Sequence, residues 1–237
     1  MKKVSVITLQ NIKNYGSMLQ AYATQELLRE KGYDVEIVDY TRPIAKFWNH
    51  ILGYSRKDNL LVRIIKTVIL FPTELRYALL WTSFKKTYLK SSPHSYTNNE
   101  QLKANPPVAD IYCSGSDQVW NSGWNNGLLR EFFLDFVPEG KSKYALASSI
   151  GMSEFDEAEK QELKRLLQDF SAISVRETSA VDMIKGLGIE DVCAVIDPTL
   201  TQDASFWNKM ATNKPRKKPY ILIYQLGKDP RVDQYAK

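Results

Sequence analysis

The sequence predicts an α/β fold with a doubly wound parallel sheet, and three observations favour this prediction. With 237 residues, 43% of them hydrophobic and 25% charged, the chain has the ordinary composition of a folded protein and can bury a core of its own. Short apolar runs alternate with segments whose apolar residues recur at helical spacing. The first strand–helix–strand unit ends at Tyr40, and such a unit requires parallel pairing with a right-handed crossover.

The individual elements follow from local patterns. The run VSVITL predicts a first strand, and the helix after it is expected to end at Gly32, since glycine is favoured just beyond a helix. A helix starting after Ser153 has acidic residues early and basic residues late, which suits the helix dipole. We predict strands over residues 4–9, 35–40, 108–113, 143–148, 172–175 and 192–196, helices over 16–31, 153–170 and 178–185, and a short strand or extended piece over 132–136.

The same patterns divide the chain into three parts. Residues 1–200 are expected to form an N-terminal domain with a helical insertion at about 43–105 that contains no clear strand. Within the insertion, Pro72 should separate two amphipathic helices. The polar, basic and proline-rich residues 201–218 are typical of a linker, and residues 219–237 open with a strand over 220–225. Few residues follow that strand, so the chain is expected to stop early in a second domain.

Charge and targeting signals narrow the classes of partner. The first apolar run is broken by Gln10 and Lys13 and lacks a cleavage motif, which favours a strand over a signal peptide. The net charge of +5 comes without a nucleic-acid-binding motif, so no nucleic-acid partner is expected. Residues 60–70 leave two alternatives open: packing on the core, or a peripheral membrane contact with Arg63 and Lys66 at the lipid surface.

The cysteine and histidine residues do not indicate a metal site. Cys113 and Cys193 each lie in an apolar run and are expected to be buried thiols, which fits a reducing cytoplasm. His50 and His94 fall within the insertion, away from the polar clusters described next, and are interpreted as incidental. We therefore predict neither a metal nor a cofactor.

Short polar clusters follow five of the predicted strands. The carboxyl ends of parallel strands meet at one edge of the sheet, and ligands bind in the crevice outside that edge, so the clusters should form one site. That site would combine small residues, hydroxyls, carboxylates and an arginine. The clusters are Asn14, Gly16 and Ser17; Gly115, Ser116, Asp117 and Gln118; Ser149 and Gly151; Arg176 and Glu177; and Asp197, Pro198 and Thr199.

Several of these residues also have a purely structural interpretation. The helix start at Asn14 either binds a phosphate or carboxylate or forms only a turn and an N-cap. It matches neither a dinucleotide-binding fingerprint nor a P-loop, so Asp39 at the end of the second strand is interpreted as structural. Trp120 and Trp124 either stack on a sugar ring or anchor the core.

Asp117 and Arg176 are the strongest candidates for chemistry. Asp117 lies in a turn of small residues after a buried strand, where it could act as a general acid or base or orient a sugar hydroxyl. Arg176 follows a buried strand directly and needs an anion there. That anion is either a substrate carboxylate or phosphate, or the side chain of Glu177 or Asp197.

Six segments span nearly the whole chain and carry a resemblance to a known family. They are NYGSMLQAYA (14–23), DIYCSGSDQVWN (110–121), ALASSIG (145–151), ISVRE (173–177), VIDPTL (195–200) and PYILIYQL (219–226). GSDQVWN, SVRE and DPTL are specific together although each is weak by itself. In combination and in order, the six segments resemble the polysaccharide pyruvyl transferase family.

The resemblance implies both a fold and an activity. The fold is the N-terminal half of a GT-B-like architecture, in which the active site lies between two Rossmann-like domains. The activity is transfer of a pyruvyl group from phosphoenolpyruvate onto two hydroxyls of a sugar, as a ketal. It serves bacterial exopolysaccharide and cell-envelope biosynthesis in the cytoplasm, with or without a peripheral contact at the inner face of the membrane. Phosphoenolpyruvate and a glycan acceptor are the expected partners.

The resemblance also implies site residues. Asp117 and Arg176 match family positions that act at the donor, and we predict that they are catalytic. The family's site includes an arginine and a histidine of the second domain, so this chain by itself is expected to be inactive. The predicted substrate-binding residues are Asn14, Gly16, Ser17, Gly115, Ser116, Gln118, Trp120, Ser149 and Glu177.

Two other functions are also compatible with the sequence. One is a GT-B-type glycosyltransferase that uses a nucleotide-sugar, since the architecture and the sheet-edge site would be the same. The other is a non-catalytic module of a glycan-assembly system.

Overall fold

A seven-stranded, entirely parallel sheet forms the framework of the molecule. The computed structural model describes residues 1–45, 59–211, 219–223 and 229–235. Along the sheet the strand order is β3-β2-β1-β4-β5-β6-β7, so the order reverses between β1 and β4, which is where such folds bind ligands. The strands are β1 (Lys3–Ile7), β2 (Asp34–Tyr40), β3 (Ser91–Tyr96), β4 (Ile111–Ser114), β5 (Ser142–Ser148), β6 (Ala172–Val175) and β7 (Val192–Ala194). The predicted doubly wound, Rossmann-like α/β fold is confirmed.

Helices connect the strands, and within residues 1–202 they pack on both faces of the sheet. The described helices are α1 (Tyr15–Glu30), α2 (Leu60–Tyr88), α3 (Asn99–Ala104), α4 (Ser122–Asn125), α5 (Glu157–Leu167), α6 (Thr178–Gly186), α7 (Pro198–Thr201), α8 (Ala204–Asn208) and α9 (Pro230–Tyr235), with 3-10 turns at Pro43–Ala45 and Arg130–Phe133. None of them combines the length and the apolar composition needed to span a bilayer.

Two apolar clusters hold the helices against the sheet. Alternate residues of β1 divide between them, because successive side chains of a strand point to opposite faces. Val4 and Val6 pack with residues of α1 and, at its margin, α2. Ile7 packs in the larger cluster, together with residues of α5 and α6. The sheet is therefore sandwiched between helices, and its carboxyl edge is left for the loops that carry the polar clusters.

The expectation that residues 43–105 contain no strand was wrong. β3 lies in this segment and pairs in parallel with β2. Its sequence, SSPHSY, has no apolar run because an edge strand needs only one hydrogen-bonded neighbour, and such a position also tolerates Pro93. His94 is exposed on this strand, and His50 lies outside the described residues.

Pro72 does not separate two helices, as the sequence had suggested. α2 runs without a break through 29 residues, with Asn59 accepting a hydrogen bond from the backbone N–H of Val62 at its start. A proline removes one hydrogen bond and clashes locally, at a cost of about 3 kcal/mol. In so long a helix the turns on both sides remain bonded, so the helix continues.

Three other elements differ from prediction. α5 begins after Asp156 rather than Ser153, because the buried ring of Phe155 fixes the preceding loop. Residues 132–136 form no strand: Arg130–Phe133 is a 3-10 turn and Leu134 has a φ of +58°, a left-handed conformation that a strand does not adopt. Residues 220–223 have no regular structure and are exposed; no neighbouring strand among the described residues pairs with them, and 224–225 lie outside the described residues.

The cysteines differ from each other in burial. Cys113 in β4 is buried, as expected, and its burial raises the pKa of the thiol. Cys193 in β7 is exposed, contrary to expectation, because the short strand β7 lies at the edge of the sheet.

The chain divides into two compact units. The first, Met1–Gln202, contains all seven described strands and both clusters named above, and the second is Asp203–Lys237. In the second unit the structure describes α8, residues 219–223 and α9. The first unit carries every residue of the site described next.

Candidate active site

A cavity of about 210 Å³ opens at the carboxyl edge of the sheet. It is built from the loops that follow β1, β4, β6 and β7, and Asp117 and Arg176 both line it. Polar residues that follow parallel strands meet in this way because the carboxyl ends of those strands lie at the same edge of the sheet. The lining residues are Asn14, Gly16, Ser17, Gln20, Asp117, Arg176, Asp197 and Thr199.

Arg176 is held in place by two carboxylates and the backbone. Its backbone N–H donates to the carbonyl of Ser148 at 3.1 Å. Nη1 donates to Asp197 Oδ2 at 2.8 Å, and Nε lies 3.7 Å from Glu177 Oε1. Both ion-pair partners that the sequence offered are therefore used. No described residue takes a hydrogen bond from Nη2, which leaves that part of the guanidinium for a ligand.

Asp197 is the anchor of this arrangement. Its Oδ1 accepts from the backbone N–H and hydroxyl of Thr199, at 2.8 and 2.7 Å. Its Oδ2 accepts from Ser116 Oγ at 3.0 Å, in addition to the bond from Arg176. Burial would raise the pKa of Asp197, but these hydrogen bonds outweigh it and hold the pKa below its ordinary value. An ionised Asp197 fixes the orientation of the Arg176 side chain.

Asp117 is fixed mainly through its backbone. Its φ is +91°, an uncommon value for any residue other than glycine. Its carbonyl accepts from the N–H of Ser149 at 2.9 Å, and its Oδ1 accepts from the N–H of Gln118 at 2.8 Å. The second carboxylate oxygen, Oδ2, is buried and has no hydrogen-bond partner among the described residues.

The start of α1 is a capped helix terminus. Asn14 Oδ1 accepts from the backbone N–H groups of Gly16 and Ser17, at 2.8 and 3.3 Å. The structural alternative for this cluster, a turn with an N-cap, is thus present in the fold. The capped end still borders the cavity, so a ligand there meets the positive end of the helix dipole.

Gln20 is a lining residue that the sequence did not reveal. One turn after Ser17, its Nε2 donates to Thr8 Oγ1 and to the Ser17 carbonyl, at 2.8 and 2.9 Å. Its Oε1 is buried and, like Asp117 Oδ2, has no partner among the described residues. Buried acceptors are normally satisfied, and two of them in one cavity favour a ligand that carries hydroxyl donors. No local signal in the sequence singles out Gln20, because α1 buries other polar residues as well, namely Ser17, Thr24 and Gln25.

Arg42 is a second residue that was missed. It lies two residues beyond the end of β2, its Nη1 donates to Asn125 Oδ1 at 2.6 Å, and its buried Nε has no partner among the described residues. Burial lowers the pKa of Arg42, while the nearby charges of Asp117 and Glu131 oppose that change. The signal resembled that for Arg176: an arginine shortly after the end of a buried strand.

Trp120 does not contact the cavity, and its predicted sugar-stacking role is wrong. Only 1% of it is exposed. Its ring stacks on Phe133 with the centroids 5.4 Å apart, and Nε1 donates to the carbonyl of Phe132. Both ring faces are enclosed by the core, so the alternative of a core anchor is the one that the fold uses. Trp124, by contrast, is largely exposed.

The other predicted binding residues lie behind the lining residues and support their loops. A Cβ on Gly115 would come within 3.1 Å of Val6 and Thr8, so this position requires close backbone packing. Ser116 bonds Asp197, as described above, and buried Ser149 donates to Glu177 Oε1. Gln118 Oε1 accepts from Asn121 Nδ2 at 3.1 Å. Their direct contact with a substrate stays a prediction.

Comparison with known families agrees with this arrangement of segments. The family model for polysaccharide pyruvyl transferase matches residues 14–236. Searches of curated proteins and of solved structures returned no match. Among the described residues, no three histidine, cysteine, aspartate or glutamate side chains are grouped as metal ligands would be. Because the family match covers nearly the whole chain, including every cavity-lining residue, the chain belongs to the polysaccharide pyruvyl transferase family.

Proposed function

We propose that this chain forms the N-terminal half of a site that transfers a pyruvyl group from phosphoenolpyruvate to two hydroxyls of a sugar in a cell-surface polysaccharide or its precursor. The observation that carries the proposal is a cavity lined by an oriented arginine and by two residues whose buried acceptor atoms have no hydrogen-bond partner in the described part of the chain. An arginine suits the carboxylate or phosphate of the donor. Acceptor atoms suit the hydroxyl protons of a sugar.

The proposed chemistry needs proton transfers and charge stabilisation. A proton adds to the methylene carbon of phosphoenolpyruvate, which leaves an oxocarbenium-like centre at the neighbouring carbon. One sugar hydroxyl attacks this carbon, the carbon–oxygen bond to phosphate breaks, and the second hydroxyl closes the ketal. Two hydroxyl protons are released and one proton is taken up by carbon, so the phosphate leaves with the other. The enzyme must therefore both accept protons and stabilise anions.

The lining residues divide these tasks. Arg176 binds a donor anion through its remaining N–H groups while Asp197 keeps it oriented. Asp117 accepts a proton from an acceptor hydroxyl, and Gln20 Oε1 accepts a hydrogen bond from a neighbouring hydroxyl. The capped start of α1 places the positive end of a helix dipole beside the donor phosphate. Each task falls on a group whose position is already fixed by the fold.

The charge of the cavity argues that further cations contribute. Among the lining residues, Asp117 and Asp197 carry two negative charges and Arg176 one positive charge, whereas the donor itself is an anion. Arg42 adds a cation near Asp117. The arginine and histidine that the family resemblance implies would add more from a second, GT-B-like domain. We therefore propose that this chain by itself transfers pyruvate poorly, within a cytoplasmic pathway of bacterial envelope biosynthesis.

Ligand-dependent thermal stability tests the donor. We expect phosphoenolpyruvate to raise the melting temperature of the protein more than inorganic phosphate or pyruvate, because only phosphoenolpyruvate carries both anionic groups. The matched control is Arg176→Gln, which should lose the difference between the three compounds. Stabilisation by a nucleotide-sugar but not by phosphoenolpyruvate would contradict the proposal and favour a glycosyltransferase.

A further inference from the structure

The outer face of α2 is apolar and exposed over nearly its first six turns. Leu61, Val68 and Leu79 lie on one side of the helix, and their exposed fractions are 68%, 67% and 63%. Leu60 and Ile69 flank them and are exposed to a similar extent. At 1.5 Å per residue, the segment from Leu60 to Leu80 is about 30 Å long. Such a continuous apolar surface on a protein normally marks an interaction site.

The opposite side of α2 is the side that packs on the rest of the unit. Trp81 Nε1 donates to the carbonyl of Ile12 at 2.8 Å. The rings of Phe84 and Tyr88 contact Tyr22 of α1, with centroid distances of 6.4 and 5.5 Å. The helix is thus anchored through its C-terminal half. The sequence left packing on the core as one alternative for residues 60–70, and the exposure of this segment argues against it.

The charges of α2 favour one kind of partner. The helix contains five basic residues and one acidic residue. The acid, Glu74, is 6% exposed and pairs with Lys13, so it does not offset the exposed basic residues, which include Lys66, Arg76 and Lys86. A second copy of this helix would bring like charges together, which is unfavourable. An anionic lipid surface attracts the basic residues and accepts the apolar side chains between them.

We propose that the exposed side of α2, over residues 60–86, binds the surface of an anionic lipid bilayer, with the helix axis parallel to the membrane plane. The apolar side chains enter the headgroup region while Arg76 and Lys86 contact lipid phosphates. The helix does not cross the bilayer, since no described helix has the composition to do so. This surface lies on α2 and not in the cavity, so the inference stands whether or not the proposed pyruvyl transfer is correct.

Vesicle co-flotation of the full chain tests the proposal. We expect binding to vesicles of phosphatidylcholine mixed with phosphatidylglycerol, and little binding to phosphatidylcholine alone. Val68→Glu should weaken binding at least about tenfold. Arg76→Gln and Lys86→Gln should each weaken it about fivefold, as for one lost charge near an anionic surface. Added salt should weaken wild-type binding in the same direction.

Matched controls use residues elsewhere on the surface. Val108 is 83% exposed in the loop before β4, and Val108→Glu should bind vesicles like the wild type, as should Lys141→Gln. Equal binding to both kinds of vesicle, or to neither, would overturn the proposal. So would a melting temperature lowered by Val68→Glu but not by Val108→Glu, because the chain itself would then cover this face. A dimer that Val68→Glu dissociates in the absence of lipid would assign the face to a second copy instead.

Discussion

Asp117 stores backbone strain at the site. A φ of +91° in a residue with a side chain costs of order 1–3 kcal/mol, and such residues persist where the surrounding structure imposes them. Here the parallel bridge to Ser148 and the bond from Ser149 impose it. The consequence is that the Asp117 carboxylate is directed into the cavity by the backbone itself, before any ligand binds.

We expect Asp117→Asn to remove transfer without loss of the fold. Asparagine tolerates positive φ and keeps the volume and one acceptor oxygen, but it cannot take up a proton. The rate of phosphate release from phosphoenolpyruvate in the presence of an acceptor sugar should fall at least about 10²-fold, with urea unfolding unchanged. Asp117→Ala is a poorer test, because alanine would add strain at this φ. Turnover of Asp117→Asn at the wild-type rate would remove this carboxylate from the chemistry.

For Arg176, the conservative substitution is the informative one. Arg176→Lys keeps the positive charge but loses the planar set of donors that serves Asp197 and a ligand together. We expect at least about tenfold weaker binding of phosphoenolpyruvate, since a charge-assisted hydrogen bond contributes about 1.5–3 kcal/mol. Calorimetric titration measures it. Arg165→Lys on the exposed face of α5 is the control, and equal affinity of the two variants would argue against a donor contact by Arg176.

The residues that sequence reasoning found and missed differ in a simple way. Asp117 and Arg176 were correctly expected at the carboxyl edge, because a residue that follows a parallel strand lies there. Their catalytic role stays a prediction. Gln20 was missed because its burial depends on a hydrogen bond to Thr8, in an adjacent strand-end loop. Trp120 was misassigned because no local pattern says which way a loop tryptophan turns. The direction of the chain determines at which edge of the sheet a residue lies, whereas tertiary packing determines what surrounds its side chain.

Among the elements, α1 and α3 begin with the same type of cap. Asn14 caps α1 beside the cavity, and Asn98 caps α3 by accepting from the N–H of Gln101 at 2.9 Å. We expect Asn14→Ala and Asn98→Ala each to lower the free energy of unfolding by about 1 kcal/mol. Only Asn14→Ala should also weaken phosphoenolpyruvate binding, because only that helix start borders the cavity. Equal ligand affinity of both variants would show that Asn14 is a cap alone.

Asp39 joins three elements, and its role predicts a dependence on pH. It lies in β2, pairs with Lys85 of α2 at 2.7 Å and accepts from Ser95 of β3. Burial alone would raise its pKa, but the bonds from Lys85, Ser95 and Asn11 hold the pKa below the ordinary value of 3.8.

A lowered folded-state pKa means that the unfolded chain binds the proton more tightly. The stability from Asp39 is therefore complete above pH 3.8 and is lost as the pH falls through its folded-state pKa. We expect the difference in unfolding free energy between wild type and Asp39→Asn to shrink on acidification over this range. Urea titrations at several pH values measure it. Asp182→Asn, exposed on α6, is the control, and a pH-independent difference for Asp39→Asn would contradict the assignment.

Elements with a regular apolar pattern were predictable and the others were not. β1 and β2 are buried on both faces, so their apolar runs are visible in the sequence. β3 is a polar edge strand that needs hydrogen bonds to only one neighbouring strand. α2 continues through Pro72, although a proline inside a helical pattern normally predicts the end of the helix. In both cases the structure depends on tertiary contacts with residues distant in sequence, which a short stretch of sequence does not reveal.

At the scale of the whole molecule, the unit Met1–Gln202 should be able to fold by itself. It contains the seven described strands and the clusters that cover them. We expect residues 1–202 to unfold in one cooperative transition, with a melting temperature within a few degrees of that of the chain of 237 residues. Circular dichroism on heating measures it. A broad, uncooperative transition would mean that residues 203–237 are part of the folding unit.

The fold class could be predicted because alternation of strand and helix patterns leaves few topologies. The strand order was not predictable to the same degree, since β3 was missing from the prediction. Whether the second domain completes a GT-B-like cleft stays a prediction.

The cavity takes its walls from four loops that are far apart in the chain, from Asn14 to Thr199. A metabolite can occupy it only after all of those segments have come together, so occupancy reports complete assembly of the sheet. At a free concentration 100 times its dissociation constant, such a metabolite would add about 2.7 kcal/mol to the free energy of unfolding. Newly synthesised protein in a cell rich in that metabolite would then resist proteases better than the same protein in a starved cell.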